Sequence, residues 1–263
     1  MNNGFIKIAA MILALLPLHS LAAAPTRIVS LDLCSDWLLA KYADRSQVAA
    51  LSPLLKQHPV EWIGDEWPLH DGSLELILTL KPDLVLSGEF NALILRQRLI
   101  ALGIRVEVLA LPRTLLQVTE YEQRFLSLAG LPATFATQPL PASQPVTNPP
   151  RLLLLGANGI GTGQQTFEDD VIRHAGWGNY LETDSYISLD LEQLVTDPPD
   201  AVMWSAPQSP ALANQFAKHP ALRHAIPSER WLNSSYWHWQ CPGPWTWELI
   251  EQLQEQREQW QNS

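Results

Sequence analysis

Basic side chains are scarce in this 263-residue chain: 17 Lys and Arg stand against 27 Asp and Glu, for a formal net charge of -10. Proteins that bind DNA or RNA neutralise phosphates with clustered Lys and Arg. The sequence therefore predicts no nucleic-acid partner. Charged residues make up 17% of the chain and hydrophobic residues 46%, which supplies enough apolar material for a folded core and excludes a disordered chain.

Sequence motifs of common enzyme classes are also absent. The chain has no G-x-S-x-G nucleophile elbow, no zinc-ligand spacing and no closely spaced acid-base pair. These absences favour a non-catalytic protein with no metal site and no cofactor. A secreted α/β hydrolase remains an alternative, because catalytic residues that meet in a fold need not be close in sequence.

The chain's one long hydrophobic run lies at the N-terminus. Lys7 precedes an uninterrupted apolar run over residues 8–16, Pro17 ends that run, and small residues follow at positions 22–24. A permanent membrane span requires about 20 apolar residues. The order of these features instead predicts a secretory signal peptide over residues 1–23, cleaved near residues 22–24, and an exported mature protein.

Short strand-like runs alternate with segments of helical spacing along the mature chain. In the first half the strand-like runs cover residues 27–31, 48–51, 84–87 and 106–109. One helix-like segment follows Ser73, which is the expected N-cap. Strands that alternate with helices predict parallel β-α-β units.

The second half repeats this order. A strand-like run at residues 151–155 leads into a glycine-rich loop and a further helix-like segment. The clearest internal match pairs residues 74–85 with residues 191–202 at a constant offset of 117, and it aligns Glu75 with Glu192. A fixed offset without gaps indicates two structurally related halves.

A proline-rich stretch separates the halves. It covers residues 131–150, after a helix-like segment that begins at residue 114. Proline removes backbone donors and favours extended geometry, so this stretch is expected to be a spacer or surface loop. The predicted organisation is an N-terminal α/β lobe over residues 24–113, an interlobe helix and linker over 114–150, and a C-terminal α/β lobe over 151–263.

Six segments carry a family resemblance. They are, in order, RIVSLDLCSDWLLA, LELILTLKPDLVLSG, LGIRVEVL, GTGQQTFEDDVIRHAGWGNYL, SLDLEQLVTDPPDAVM and WHWQCPGPWTWELIEQL. Together they resemble the periplasmic substrate-binding proteins that feed ABC importers of cobalamin, haem and iron-siderophores. The resemblance implies the class III α/β fold: two Rossmann-like lobes with parallel sheets, joined by a helical backbone, with the ligand in a cleft between the lobes. One departure is the proline-rich stretch, which stands where the family has a long charged bridging helix.

The resemblance also implies a function. It points to a monomeric periplasmic protein that is not an enzyme, captures a cobalamin-like corrinoid, a ferric siderophore or haem, and presents this metal chelate to an ABC importer permease in the inner membrane. In the family, one surface glutamate per lobe docks into arginine pockets of the permease, and Glu75 and Glu192 match those positions. The alternative for these glutamates is simple stabilisation of a helix N-terminus. An interaction scaffold with the same fold is a further alternative for the whole protein.

Aromatic residues are the main candidates for ligand contact. Ligands of parallel α/β lobes bind beyond the carboxyl ends of the strands, where loops converge, and aromatic rings there offer large apolar surfaces to a conjugated ligand. The candidates are Trp67, Phe90, Tyr186, Trp237 and Trp239. The alternative for each ring is packing in the core.

The glycine-rich loop over residues 156–163 is a second candidate. Its backbone amides are suited to an anionic group at a helix N-terminus, with Gly159 and Thr162 as the expected contacts. The loop fits neither G-x-G-x-x-G nor the P-loop pattern, so a nucleotide is not expected. A plain tight turn is the alternative.

Cys34 and Cys241 are the only cysteines of the chain. Both fall in loops expected to face the cleft, one from each lobe. In an oxidising compartment they can form a disulfide that tethers the lobes. Free packed thiols and a soft metal-ligand role are the open alternatives.

Overall fold

A computed structural model of the chain describes residues 23–136, 139–143, 146–205, 215–234 and 236–261. The expected signal peptide lies outside these residues, apart from its last position. Within this part of the chain, none of the helices combines the length and the apolarity that a membrane span requires.

Short strands and helices alternate throughout. The strands are β1 (Ile28–Ser30), β2 (Val48–Ala50), β3 (Leu84–Gly88), β4 (Val106–Leu109), β5 (Arg151–Leu155), β6 (Ile160–Thr162), β7 (Gly178–Asn179), β8 (Tyr186–Ser188), β9 (Ala201–Trp204) and β10 (Trp231–Leu232). The α-helices are α1 (Leu33–Tyr42), α2 (Leu54–Gln57), α3 (Leu74–Thr79), α4 (Leu93–Ala101), α5 (Leu115–Ala129), α6 (Phe167–His174), α7 (Leu191–Thr196), α8 (Pro220–Ala225) and α9 (Thr246–Gln261).

The first sheet is wholly parallel, with strand order β2-β1-β3-β4. Every residue of β3 is buried, as expected for a central strand covered by helices on both faces. The expected N-cap is present, because the Ser73 hydroxyl accepts a hydrogen bond from the amide of Leu76 at the start of α3. The prediction of a parallel α/β first lobe is therefore confirmed.

The second sheet is mixed, which corrects the expectation of a parallel sheet in this lobe. Strands β10, β9, β5 and β7 pair in parallel, whereas β6 pairs antiparallel with both β5 and β8. The glycine-rich segment allows this arrangement, because it turns the chain back at the end of β5 into β6 rather than directly into a helix.

The internal repeat has a structural counterpart. Two hydrogen bonds join Arg27, before β1, to Asp83, before β3. The Asp83 amide donates to the Arg27 carbonyl, and the Arg27 amide donates to the Asp83 carboxylate. Arg151 and Asp200 exchange the same two bonds in the second lobe. The Pro-Asp sequence that recurs at the offset of 117 therefore has the same structural role in both lobes: its Asp joins the starts of two neighbouring strands by hydrogen bonds.

Helix α5 connects the two lobes. Leu115 and Val118, near its N-terminus, pack in the core of the second lobe, whereas Phe125 and Leu128 pack in the core of the first. The amide of Leu115 also donates to Asp170 of α6 at 2.7 Å. The segment before α9 also connects the lobes: it belongs to the second half of the chain, but its Trp245 packs in the core of the first lobe.

The proline-rich stretch follows α5 and carries no α-helix over its described residues. It lies against the second lobe, where the carbonyl of Pro141 is bonded to His174 and that of Ala142 to Gln254. The helical connection between the lobes is therefore α5 itself, and the described part of the proline-rich stretch contributes only the 3-10 turn Ala133–Phe135.

Candidate functional site

A cavity of about 420 Å³ lies between the two lobes; we call it the interlobe cleft. Its first-lobe walls follow β3 and β4, and its second-lobe walls come from the start of α6, the start of β8 and the segment before α9. The lining residues are Glu89, Phe90, Leu111, Pro112, Arg113, Gln165, Thr166, Phe167, Glu168, Ser185, Tyr186, Trp239, Gln240 and Pro242. The carboxyl ends of two parallel strands thus open onto this space, as in other α/β ligand sites.

Three of the five aromatic candidates line the interlobe cleft. Phe90 is 65% exposed and Tyr186 is 55% exposed, so both rings have apolar area available to a ligand. Trp239 is mostly buried, and its indole nitrogen donates to the Ser234 hydroxyl at 2.9 Å. The cleft therefore presents rings from both lobes, one of them held in place by packing and a hydrogen bond.

A tyrosine–glutamate pair supplies the polar contact on the second-lobe side. The Tyr186 hydroxyl lies 2.9 and 3.2 Å from the two Glu168 carboxylate oxygens, to which it donates. Burial raises the pKa of Glu168. Burial and the neighbouring Glu168 raise the pKa of Tyr186, so this phenol stays protonated and remains a donor.

An apolar surface continues from the cleft across the first lobe. A second cavity, of about 560 Å³, lies beyond the ends of β1, β2 and β3 and shares Phe90 with the interlobe cleft. Leu93 and Ile94, also in its lining, are 54% and 69% exposed. Exposed apolar groups in one patch are typical of a surface that binds a ligand or partner.

Buried carboxylates hold the loops beneath this surface. Asp32 caps α1 by accepting from the amides of Cys34 and Ser35. Asp36 accepts from the amide and the hydroxyl of Ser52, at 2.8 and 2.6 Å, which fixes a residue that lines the second cavity. Burial raises the pKa of Asp36 to about 7.

Two aromatic candidates lie away from the interlobe cleft, which corrects their expected positions. Trp67 lines a separate cavity within the first lobe, and the Arg45 guanidinium lies over its ring, 5.4 Å from the ring centre. Trp237 packs edge-on against Trp37, with ring centres 5.9 Å apart. Trp237 and Trp239 are two residues apart in a short 3-10 turn, and their side chains reach different cavities.

Gly159 and Thr162 are buried and do not line the cleft, which corrects the expectation of an anion cradle. The amides of Gly156 and Gly163 donate to backbone carbonyls, at Ile160 and Ser185 respectively. Gly159 has φ of +70°, and a Cβ there would lie 2.7 Å from the Phe216 ring. Glycine is thus required by backbone geometry and close packing, and the loop is a turn into the antiparallel part of the sheet.

Cys34 and Cys241 form a disulfide, with Cα atoms 5.3 Å apart. This resolves the alternatives that the sequence left open. Gln240 and Pro242, the neighbours of Cys241, both line the interlobe cleft. The bond therefore anchors one wall of the cleft to the start of α1 in the other lobe.

Glu75 and Glu192 lie outside the described cavities, exposed in the first turns of α3 and α7. Their surroundings are alike, since Thr79 donates to the carbonyl of Glu75 and Thr196 to that of Glu192. The two carboxylates thus occupy matching sites on the two lobes.

Sequence reasoning missed some of the polar cleft residues. Arg113 and Glu168 line the cleft. Glu168 lies within the segment GTGQQTFEDDVIRHAGWGNYL but was not singled out there, and Arg113 lies in none of the six segments. Arg113 lies just before α5, and Glu168 lies in the first turn of α6. Within the described ranges, no group of three or more His, Cys, Asp or Glu side chains is arranged to hold a metal ion.

No protein-family model matches the chain, and no curated protein matches it in sequence. Solved structures do match over nearly its whole length. One, described as a possible iron-binding periplasmic solute-binding protein of Staphylococcus epidermidis, has a TM-score of 0.69 at 15% identity and covers 89% of this chain and 98% of its own.

Two further structures are similar. The periplasmic haem-binding protein of Pseudomonas aeruginosa has a TM-score of 0.65 at 21% identity, covering 88% of this chain and 91% of its own. The periplasmic vitamin B12-binding protein of Vibrio cholerae has a TM-score of 0.65 at 20% identity, covering 91% and 99%. The chain thus has the two-lobe α/β fold of these binding proteins.

Proposed function

We propose that this protein is a periplasmic substrate-binding protein that captures a metal chelate in the interlobe cleft and delivers it to an ABC importer. The observation that carries the proposal is the cleft itself, which lies between two lobes at strand ends and is lined by rings from both. The solved structures of the same fold support it, since their names describe binders of haem, vitamin B12 and iron.

The size and polarity of the site suit a large, flat ligand. The interlobe cleft and the cavity that shares Phe90 with it have volumes of about 420 and 560 Å³, and together they offer Phe90, Leu93 and Ile94 as one apolar surface. Burying aromatic and aliphatic surface against a macrocycle contributes about 25 cal/mol per Å² removed from water. The Tyr186 hydroxyl and the Arg113 guanidinium then orient the ligand through polar contacts in the interlobe cleft.

The charges in the cleft favour a neutral or cationic chelate. Glu89 and Glu168 line it against a single cation, Arg113. A polyanionic ligand meets net repulsion from this set, whereas a corrinoid, whose periphery is made of neutral amides, does not. We therefore place a cobalamin-like corrinoid ahead of haem and of carboxylate siderophores.

The matched glutamates are proposed as the docking points for the permease. Glu75 and Glu192 are exposed on equivalent helices of the two lobes and do not line the cleft. Two exposed carboxylates, one per lobe, allow a symmetric membrane partner to contact both lobes at once. The protein that docks is proposed to be a monomer without enzymatic activity.

Ligand titration of the purified mature protein tests the function. Cyanocobalamin, hemin and ferrichrome are added in turn while Trp fluorescence and ligand absorbance are followed. We expect saturable binding of cyanocobalamin, weakened at least about tenfold by Phe90→Ala, because a ring contact of this size contributes more than about 1.4 kcal/mol. Phe135→Ala, which removes an exposed ring elsewhere, is the matched control. Failure of all three chelates to bind would overturn the proposal.

Export is tested separately by cell fractionation. The full chain is expected in the periplasmic fraction, shortened by 22 or 23 residues as the N-terminal sequence predicts. A full-length product retained in the cytoplasm would contradict a transport role regardless of the ligand result.

A further inference from the structure

A second aromatic cavity lies beside α1 and α5, outside the interlobe cleft. It has a volume of about 370 Å³, and we call it the tryptophan pocket. Its lining residues are Lys41, Tyr42, Trp62, Glu122, Phe135, Trp237, Pro244, Trp245 and Glu248. None of these residues lines the interlobe cleft, so the two cavities are separate sites.

Three indoles form one wall of the tryptophan pocket. The ring centres of Trp62, Trp237 and Trp245 lie 5.7–6.2 Å from each other, in tilted and edge-on contacts. Tyr42 and Phe135 stack with ring centres 6.0 Å apart and contribute a second aromatic surface. Trp62 is 38% exposed and Phe135 is 46% exposed, so ring area is available to a guest.

Carboxylates accompany these rings. Glu122 is only 4% exposed, and its described hydrogen bond comes from the neutral Tyr42 hydroxyl. Glu248, at the start of α9, is 62% exposed at its side chain. Lys41 is the basic residue of the lining, so the pocket carries two carboxylates against one ammonium. His238 lies behind Trp237, with its Nε2 3.7 Å from Glu248.

Aromatic rings together with carboxylates favour a cationic guest over an anionic one. The faces of aromatic rings attract cations through their quadrupoles, most strongly for Trp, and this attraction is the basis of aromatic sites for quaternary ammonium groups. Burial raises the pKa of Glu122, and Lys41 is the positive charge that opposes this effect. A cationic guest adds a second positive charge that stabilises the ionised carboxylate. An anionic guest gains neither contribution.

We propose that the tryptophan pocket is a binding site for a small organic ammonium ion, distinct from the chelate site. Its indoles contact the methyl or methylene groups around the nitrogen, and Glu122 and Glu248 supply the counter-charge. The pocket and the interlobe cleft are lined by neighbouring residues of the segment 237–245, which the disulfide at Cys241 holds in place.

Calorimetric titration with choline tests the proposal. The neutral isostere 3,3-dimethyl-1-butanol has the same shape without the charge, and it should bind at least about fivefold more weakly. Trp62→Ala is expected to weaken choline binding about three- to tenfold, and Glu248→Gln about two- to threefold. Lys41→Gln should strengthen it, because that change removes the competing cation.

Matched controls separate this site from the rest of the molecule. Trp67→Ala removes another partly exposed indole of the first lobe, and Phe90→Ala alters the chelate cleft; both should bind choline as the wild type does. Each variant is first checked for an unchanged thermal midpoint. Absence of choline binding, equal binding of choline and its neutral isostere, or unchanged binding by Trp62→Ala would each overturn the proposal, and none of these results bears on chelate binding.

Discussion

Cys34 and Cys241 are 207 positions apart in the sequence and are joined by a disulfide. Cys34 lies in the first turn of α1, and Cys241 in the segment that carries cleft residues from the second lobe. The bond thus closes a loop that contains most of both lobes, and it restricts their separation on this side of the cleft.

The double variant Cys34→Ser, Cys241→Ser should be less stable than the wild type by about 2–5 kcal/mol, because the bond restricts a long loop in the unfolded chain. Urea unfolding followed by Trp fluorescence measures the difference. Dithiothreitol should lower the wild-type midpoint to that of the double variant and leave the variant unchanged. Equal midpoints for the wild type with and without reductant would contradict a structural role for the bond.

Asp36→Asn should remove part of the pH dependence of stability. Burial raises the pKa of Asp36 to about 7 in the folded protein, above its usual value of 3.8. The stability contributed by the protonated form is complete below the unfolded pKa, declines as the pH rises from about 4 to about 7, and is lost above that range. The wild type should therefore lose more stability than Asp36→Asn between pH 5 and pH 8.

Thermal unfolding of both proteins at the two pH values measures this effect. Asn is isosteric and can still bond to the Ser52 amide and hydroxyl, so the variant is expected to fold. Asp65→Asn, at an exposed position of the same lobe, is the matched control and should behave as the wild type. A variant with the full wild-type loss between pH 5 and pH 8 would show that Asp36 is already ionised at pH 5.

Features set by local sequence were predictable. Ser73 precedes an apolar run and caps α3, and the Leu-Glu repeat places Glu75 and Glu192 at matching helix starts. Each of these depends on a few adjacent residues and on the periodicity of one helix. The strand positions of the first lobe were predictable as well, because each strand is a short run of adjacent apolar residues.

Features that depend on distant pairing were not predictable. Trp237 and Trp239 differ by two positions, yet the sequence does not reveal that one packs with Trp37 and the other borders the cleft. The buried position of Gly159 follows from the antiparallel pairing of β6 with β8, which depends on residues about 25 positions further along. Loop side chains take their direction from such long-range contacts, so only some of the candidate residues line the cleft.

The double variant Glu75→Ala, Glu192→Ala should retain chelate affinity within about twofold and slow uptake strongly, because both side chains are exposed and lie outside the cleft. Uptake of labelled cyanocobalamin by cells that depend on this protein provides the readout, beside titration of the purified variant. Glu61→Ala with Glu251→Ala removes two other exposed glutamates, one per lobe, as the matched control. Reduced affinity in the first variant would place its carboxylates in ligand binding rather than docking.

Glu168→Gln should change the charge selectivity of the cleft. The substitution removes a negative charge but keeps an acceptor for the Tyr186 hydroxyl, so the affinity for a neutral corrinoid should stay within about twofold. The affinity for an anionic chelate such as hemin should rise about 1.4- to fivefold, since partly exposed charge pairs contribute about 0.2–1 kcal/mol. Burial raises the pKa of Glu168, so wild-type Glu168 becomes neutral as the pH falls and the difference between the two proteins should shrink. Titrations at pH 5 and pH 8 test both effects, and a hemin affinity that is the same in wild type and variant at pH 8 would mean that Glu168 does not face the ligand.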